Sequence, residues 1–276
     1  MREKVLGLPV DVLTKKQTLE KIEDWIKLDI KGPKQVLTAY SEFYVNARRD
    51  KDFARIISKA DLVTADGRSV LAAVEYMKRT QELKNSRTQG VVRFLWEGMK
   101  VGWKILGNDL GETVTGVWLF EEICKVAEIR GWKVFVLGGW GDVNERATKI
   151  LLKRFPRLRL ASDPGEKTVG KIDGENKRVL EKINKFKPDV LFVQYRPVQQ
   201  EKWIDTNRKF LKVKVAVGIG GTLDEFVGDL KRPPLWMEGV GLKWLWRLMI
   251  QPKRWRRMID AVIIFPWLVF KESLRK

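Results

Sequence analysis

A chain without histidine must move protons with carboxylates, and Asp66 is placed to do so. It closes the β-rich run "ADLVTAD" (60–66), and Gly67 behind it permits a sharp turn into a helix. A carboxylate at a strand end can take a proton from an attacking hydroxyl. The same aspartate can simply cap the helix expected at 68–79, the commonest use of Asp there. Thr38, near the end of "QVLTAY" (35–40), equally suits a pocket or a buried strand. Two glycine-rich strand ends add to the pattern. "VLGGWGDV" (136–143), with Gly138 and Gly139, offers backbone N–H groups that can cradle a diphosphate. "VGIGGTLDEFVG" (217–228) carries Gly221, Thr222 and Asp224. "YRPVQQEKW" (195–203) puts Gln200 and Glu201 at the start of a helix. Each of these also reads as an ordinary turn or cap; together, opposite Asp66, they fit a nucleotide-sugar site.

The elements that must position these residues are short apolar runs alternating with helical spacing. Strands are predicted at 35–40, 60–66, 132–139, 158–162, 188–195 and 213–221. Such runs between helices imply an α/β fold: a modified Rossmann-like, mostly parallel sheet with helices on both faces. Ligands of such sheets bind beyond the strand C-termini. Two segments break the alternation. In 87–111, Val92, Leu95 or Trp96, Met99, Trp103 and Leu106 fall near helical spacing with Arg93, Lys100 and Lys104 between them. This amphipathic insertion suits a membrane-facing element or a core hairpin. From about Lys231 onward, 11 Lys+Arg face 3 Asp+Glu, and five of the twelve tryptophans are found there. The division is 1–230 as catalytic domain and 231–276 as a basic helical appendage.

The 276 residues carry 54 Lys+Arg against 35 Asp+Glu, a net +19. That surplus favours polyanions, either nucleic acid or an anionic lipid surface. The basic residues are mixed with long apolar runs, and no nucleic-acid motif is present, so nucleic acid is not the expected partner. Absent histidine excludes a His general base and His-ligated zinc. The single Cys124 forms no internal disulfide and reads as a small buried side chain in a reducing cytoplasm. No signal-peptide pattern opens the chain. The apolar run Ala261–Phe270 is too short to span a bilayer, and Pro266 interrupts helix geometry. Between the Arg254, Arg256, Arg257 cluster and Lys271, it suits a helix lying in an anionic interface. Packing on the body or on a partner subunit is the other reading.

The order of these motifs resembles the WecG/TagA/CpsF glycosyltransferases over nearly the whole chain. The resemblance rests on "VLGLPVDVLT" (5–14), "ADLVTADG" (60–67), "VFVLGG" (134–139), "KPDVLFV" (187–193), "QEKWI" (200–204), "VGIGGTLDEFVGDLKRPPLW" (217–236) and "GLKWLWRLMIQPKRWRR" (241–257). It implies an inverting, metal-independent transferase that needs no cofactor. Such an enzyme moves an N-acetylmannosamine-like sugar from UDP to a polyprenyl-diphosphate-linked sugar, as a cytoplasmic protein peripheral on the inner face of the membrane. It further implies Asp66 as catalytic base beside Thr38, and Gln200 near the donor. Arg232, Arg247 and Arg254 of the appendage would lie near diphosphate. The chain departs from the family pattern at Tyr40, Thr113, Trp118, Gln194-Tyr195-Arg196 and Lys243. The expected base is retained while the donor pocket is altered, so a catalytically silent scaffold is the rival reading. A homo-oligomer is compatible with either.

Overall fold

The computed structural model describes residues 1–28, 32–84, 91–107, 109–165, 174–231, 233–234, 237 and 242–275. Its strands form one sheet in the order β1-β2-β4-β3-β8-β7-β5-β6. These are β1 (Arg2–Val5), β2 (Leu8–Asp11), β3 (Lys34–Ala39), β4 (Leu62–Ala65), β5 (Lys133–Gly138), β6 (Arg159–Asp163), β7 (Val190–Gln194) and β8 (Val215–Gly218). All neighbours pair in parallel except the β1–β2 hairpin. The six predicted strands are β3 to β8. The hairpin is an addition: its two-residue turn, Leu6 and Gly7, has φ of +52° and +79°. Two positive φ values match the primed turns of tight hairpins, but Leu in the first position hides the usual Asn-Gly signal.

Side chains alternate across the sheet, as strand geometry requires. Val134, Val136, Val190, Phe192, Val215 and Val217 pack against α1 (Lys15–Lys27), α6 (Gly116–Arg130) and α7 (Val143–Arg154). Phe135, Leu137, Leu191, Val193 and Ala216 pack against α8 (Gly174–Phe186) and α9 (Gln199–Asn207). Leu37, Ala39, Val63 and Ala65 meet α2 (Ser41–Arg49), α3 (Lys51–Lys59) and α4 (Arg68–Lys84). Both faces are therefore covered. Cys124 lies fully buried in α6, and burial pushes its thiol pKa up. From the middle of the sheet β3 leads outward to β4, and β5 leads the opposite way to β6. This reversal opens a crevice at the strand C-termini.

The segment 91–107 is one helix, α5 (Val91–Gly107), not a hairpin. After α10 (Thr222–Phe226) come α11 (Lys243–Ile250), a 3-10 turn (Pro252–Arg254) and a long helix over 255–273. That helix comprises α12 (Trp255–Ile259), a π turn (Asp260–Ile264) and α13 (Phe265–Ser273). Pro266 does not break it. The Phe265 N–H bonds Asp260 O five residues back, so the ladder widens immediately before the residue that cannot donate. The inner face of the helix is core: Phe265, Val269 and Ser273 are buried, and Phe265 tilts against Tyr44 at 5.8 Å between centroids. Helix α2 docks it with three ion pairs, Glu42–Arg257, Arg49–Asp260 and Arg48–Glu272. The inner side of the apolar run packs on the body, as the second reading expects, while Ile263 and Trp267 stay exposed. Among the described residues no helix is long and apolar enough to cross a membrane.

Candidate active site

Asp66 follows β4 and stays half-buried. Its backbone N–H bonds Ala39 O at 2.8 Å, locking the ends of β3 and β4 together. Its carboxylate reaches across to α6, where the Gly116 N–H donates to Oδ2 at 3.2 Å. Gly116 is the first residue of α6, whose N-cap Thr115 accepts from the Trp118 N–H. The positive end of a four-turn helix thus faces Asp66. Close by lie Thr38 and Thr222. A Cβ placed on Gly116 would stand 3.0 Å from Thr222 Oγ1 and 3.5 Å from Thr38 Oγ1. Thr38 is buried and donates to Gly218 O at 3.2 Å, while Thr222 donates to Ile219 O. The ends of β3, β4 and β8 and the start of α6 therefore meet within one small volume.

The other predicted donor residues are more inward than their sequence suggests. Gly138 has φ +98°, and a Cβ there would lie 2.0 Å from Gln194 O. The approach of β5 to β7 therefore demands glycine on its own account, independent of any ligand. Gly139 is less tight: a Cβ there would lie 3.0 Å from Leu223 Cδ1 and 3.1 Å from Asn144 N. Gln200 is buried: it accepts from the Gly220 N–H at 2.9 Å and donates to Glu201 Oε1 at 2.6 Å. Glu201 is fully buried under Gly218, and among the described residues its Oε2 has no hydrogen-bond partner. Burial raises its pKa to about 7. This carboxyl supports the β8 loop from beneath and does not line the crevice. Gln194, one of the departures from the family pattern, joins two elements. It donates to Asp224 Oδ2 at 2.8 Å and accepts from the Leu223 N–H, fixing α10, which starts just after Gly221. Burial raises the Asp224 pKa.

Above this floor sits a cationic cluster from the C-terminal elements. Arg257 grips Glu42 with Nε at 2.9 Å from each carboxylate oxygen and donates through Nη2 to the Tyr40 hydroxyl at 3.0 Å. Arg247 pairs with Glu225 at 2.6 Å. Arg254 makes no side-chain hydrogen bond or ion pair among the described residues. Burial, then the like charges of Arg257 and Arg247, lower its pKa to about 10. Burial raises the Tyr40 pKa, and Glu42, Glu201 and Asp66 add to that while Arg257 opposes it. Tyr40 thus lies between the Asp66 side of the crevice and the arginines.

The structure brings together Asp66, Thr38 and Thr222 around Gly116, and it groups Arg247 and Arg254 with Arg257, which bonds Tyr40 just beyond β3. It buries Gln200 and Glu201, and Arg232 lies outside the described residues. Trp118 packs against the core that Val134, Val136 and Phe192 share with α1 and α6, with Lys15 5.3 Å from its ring, so this departure serves the α1–α6 contact. Sequence reasoning missed Arg257 and Glu42. It assigned Arg257 to a lipid-facing cluster with Arg256, but only Arg256 faces outward, over the Trp255 ring. A seven-then-three spacing of Arg247, Arg254 and Arg257 was the available signal for a shared face.

Two curated proteins from Staphylococcus aureus bear the name N-acetylglucosaminyldiphosphoundecaprenol N-acetyl-beta-D-mannosaminyltransferase. The one from strain MRSA252 is 28% identical over 267 residues, 97% of this chain and 91% of the relative. The one from strain NCTC 8325 / PS 47 is 27% identical over the same span. The model of the glycosyl transferase WecG/TagA/CpsF family matches residues 3–96 and 95–276, in two stretches that meet inside α5. With nearly every residue so matched, the chain belongs to the WecG/TagA/CpsF family of glycosyl transferases.

Proposed function

We propose that the protein transfers an N-acetylmannosamine-like sugar from a UDP-sugar to a polyprenyl-diphosphate-linked sugar, with inversion, at the inner face of a membrane. The observation that carries this reading is Asp66 at the end of β4, with Arg257 bonded to Tyr40 just beyond β3 and Arg254 and Arg247 next to Arg257. In the proposed step Asp66 takes the proton of the acceptor hydroxyl as that oxygen attacks the anomeric carbon. The new C–O bond forms as the bond from that carbon to the diphosphate oxygen breaks, and the electron pair leaves on the diphosphate. Arg254, the guanidinium with no carboxylate partner among the described residues, faces the developing charge, with Arg247 and Arg257 beside it. Tyr40 orients Arg257 and narrows the pocket. Residues 231–276 act as an appendage that completes the site and covers it from water. The names of the relatives support both the sugar and the acceptor. The test is a screen of UDP-sugars against a short-chain polyprenyl-diphosphate N-acetylglucosamine acceptor, read by mass spectrometry. UDP-N-acetylmannosamine should give a product one N-acetylhexosamine heavier. No product from any donor with a folded protein would favour the silent scaffold.

A further inference from the structure

Helix α5 is apolar on two faces, with Arg93, Glu97, Lys100 and Lys104 in the strip between them, yet only one of the two faces is covered. Phe94 and Val101 are buried on one side. The other side carries Val92, Leu95, Trp96, Met99 and Trp103 at the spacing of one helical face, and all are exposed, Val92 at 80% and Trp103 at 74%. The long C-terminal helix repeats this. Its outer face presents Trp255, Ile259, Val262, Ile263 and Trp267, all exposed. One side chain of α4 ties the two helices together: the buried Tyr76 hydroxyl donates to Phe94 O at 3.3 Å and lies 3.1 Å from Ser273 Oγ. Near the same place Lys84 bonds Arg275 O. Val101 of α5 and Phe265 and Val269 of α13 share one core cluster.

We propose that the outer faces of α5 and of helix 255–273 form one continuous apolar surface that embeds in the interface of an anionic bilayer, with α5 as a second anchor of this chain. The inference rests on the reading that the acceptor is lipid-linked. Two observations choose a bilayer over a second copy of the chain. The exposed residues include Trp96, Trp103, Trp255 and Trp267, the side chain that favours a membrane's wet edge. Lys253, Arg256 and Lys271 stand exposed along the C-terminal stripe without a carboxylate partner among the described residues. They match anionic headgroups, whereas two copies face to face would oppose like charges within a net +19. Two anchors on one rigid body fix its tilt as well as its attachment. The crevice is then held at one angle to the lipid surface, and α2 carries that constraint to Glu42 and Tyr40 through its ion pairs.

The test uses the full chain and phosphatidylcholine vesicles with or without phosphatidylglycerol. Trp96→Ser, Met99→Ser and Trp103→Ser combined should lower flotation with anionic vesicles by roughly tenfold or more. Transfer to a water-soluble short-chain acceptor should not change. Independently, Val92→Cys labelled with an environment-sensitive dye should shift to the blue when anionic vesicles are added; the native Cys124 is fully buried and stays unlabelled. Wild-type flotation by the triple variant together with an unshifted dye overturns the proposal. So does a triple variant that floats normally but loses a self-association seen in the wild type. Flotation and dye need no substrate, so failure of the transfer chemistry leaves this test readable.

Discussion

Two arginines three residues apart separate catalysis from stability. Arg257 neutralises Glu42, which is only 7% exposed. Arg257→Gln leaves that carboxylate buried and unpaired, and should cost roughly 1–3 kcal/mol in denaturant melts. Arg254 has like charges for neighbours and a lowered pKa. Arg254→Gln should therefore leave the melting temperature unchanged or higher while lowering transfer by roughly 10²-fold; a destabilised variant would contradict the cluster described. Asp66→Asn should keep the fold and the Gly116 contact yet reduce transfer by roughly 10²–10⁴-fold, the usual worth of a general base. Near wild-type rates would reduce Asp66 to a tie between β4 and α6. Glu201 sets a pH dependence. The folded chain holds its proton more tightly than the unfolded chain. Its contribution is therefore complete below about pH 4.5 and is lost as pH rises through about 7. The difference is roughly 3 kcal/mol. Glu201→Gln should remove that slope from stability measured between pH 4.5 and 8.

At the scale of elements, the six central strands could be read directly, because strands buried on both faces are continuous apolar runs. Asp66 and Thr38 were legible for the same reason: a strand end is easy to place. Gln200 and Glu201 were not, since polar residues in a first helical turn look exposed. The turn before them bends inward at Val198, whose φ is +71°, a value a β-branched residue seldom adopts, and this tucks both side chains under β8. The Arg257 clamp was equally hidden, because its partners Tyr40 and Glu42 lie more than 200 residues earlier and no local pattern encodes such a pairing. The π turn at Asp260–Ile264 was masked by Pro266, which on sequence grounds ends a helix. If the wide turn exists to accommodate that proline, Pro266→Ala should be tolerated, with a change in stability of about 1 kcal/mol or less by thermal melting.

On the scale of the molecule, charge and apolar surface act over different ranges. Attraction of the net +19 chain to anionic vesicles should weaken as salt shortens the Debye length, whereas the insertion of Trp96, Trp103 and Trp267 should not. Flotation measured across ionic strength is expected to fall to a plateau set by the apolar faces. With the arginines assigned to the leaving diphosphate, transfer should persist in excess EDTA; loss of activity that added Mg²⁺ restores would refute that assignment. The clamp between residues 40–42 and Arg257 has a further consequence for how the molecule is made. Chain growth is vectorial, and every strand of the sheet is synthesised before the arginines. The α/β layers can therefore assemble on the ribosome while the crevice is still unclamped. On the proposed mechanism, competence for transfer would arrive late, with the docking of helix 255–273 against α2, and a chain cut before the arginines would keep its sheet but be silent in transfer.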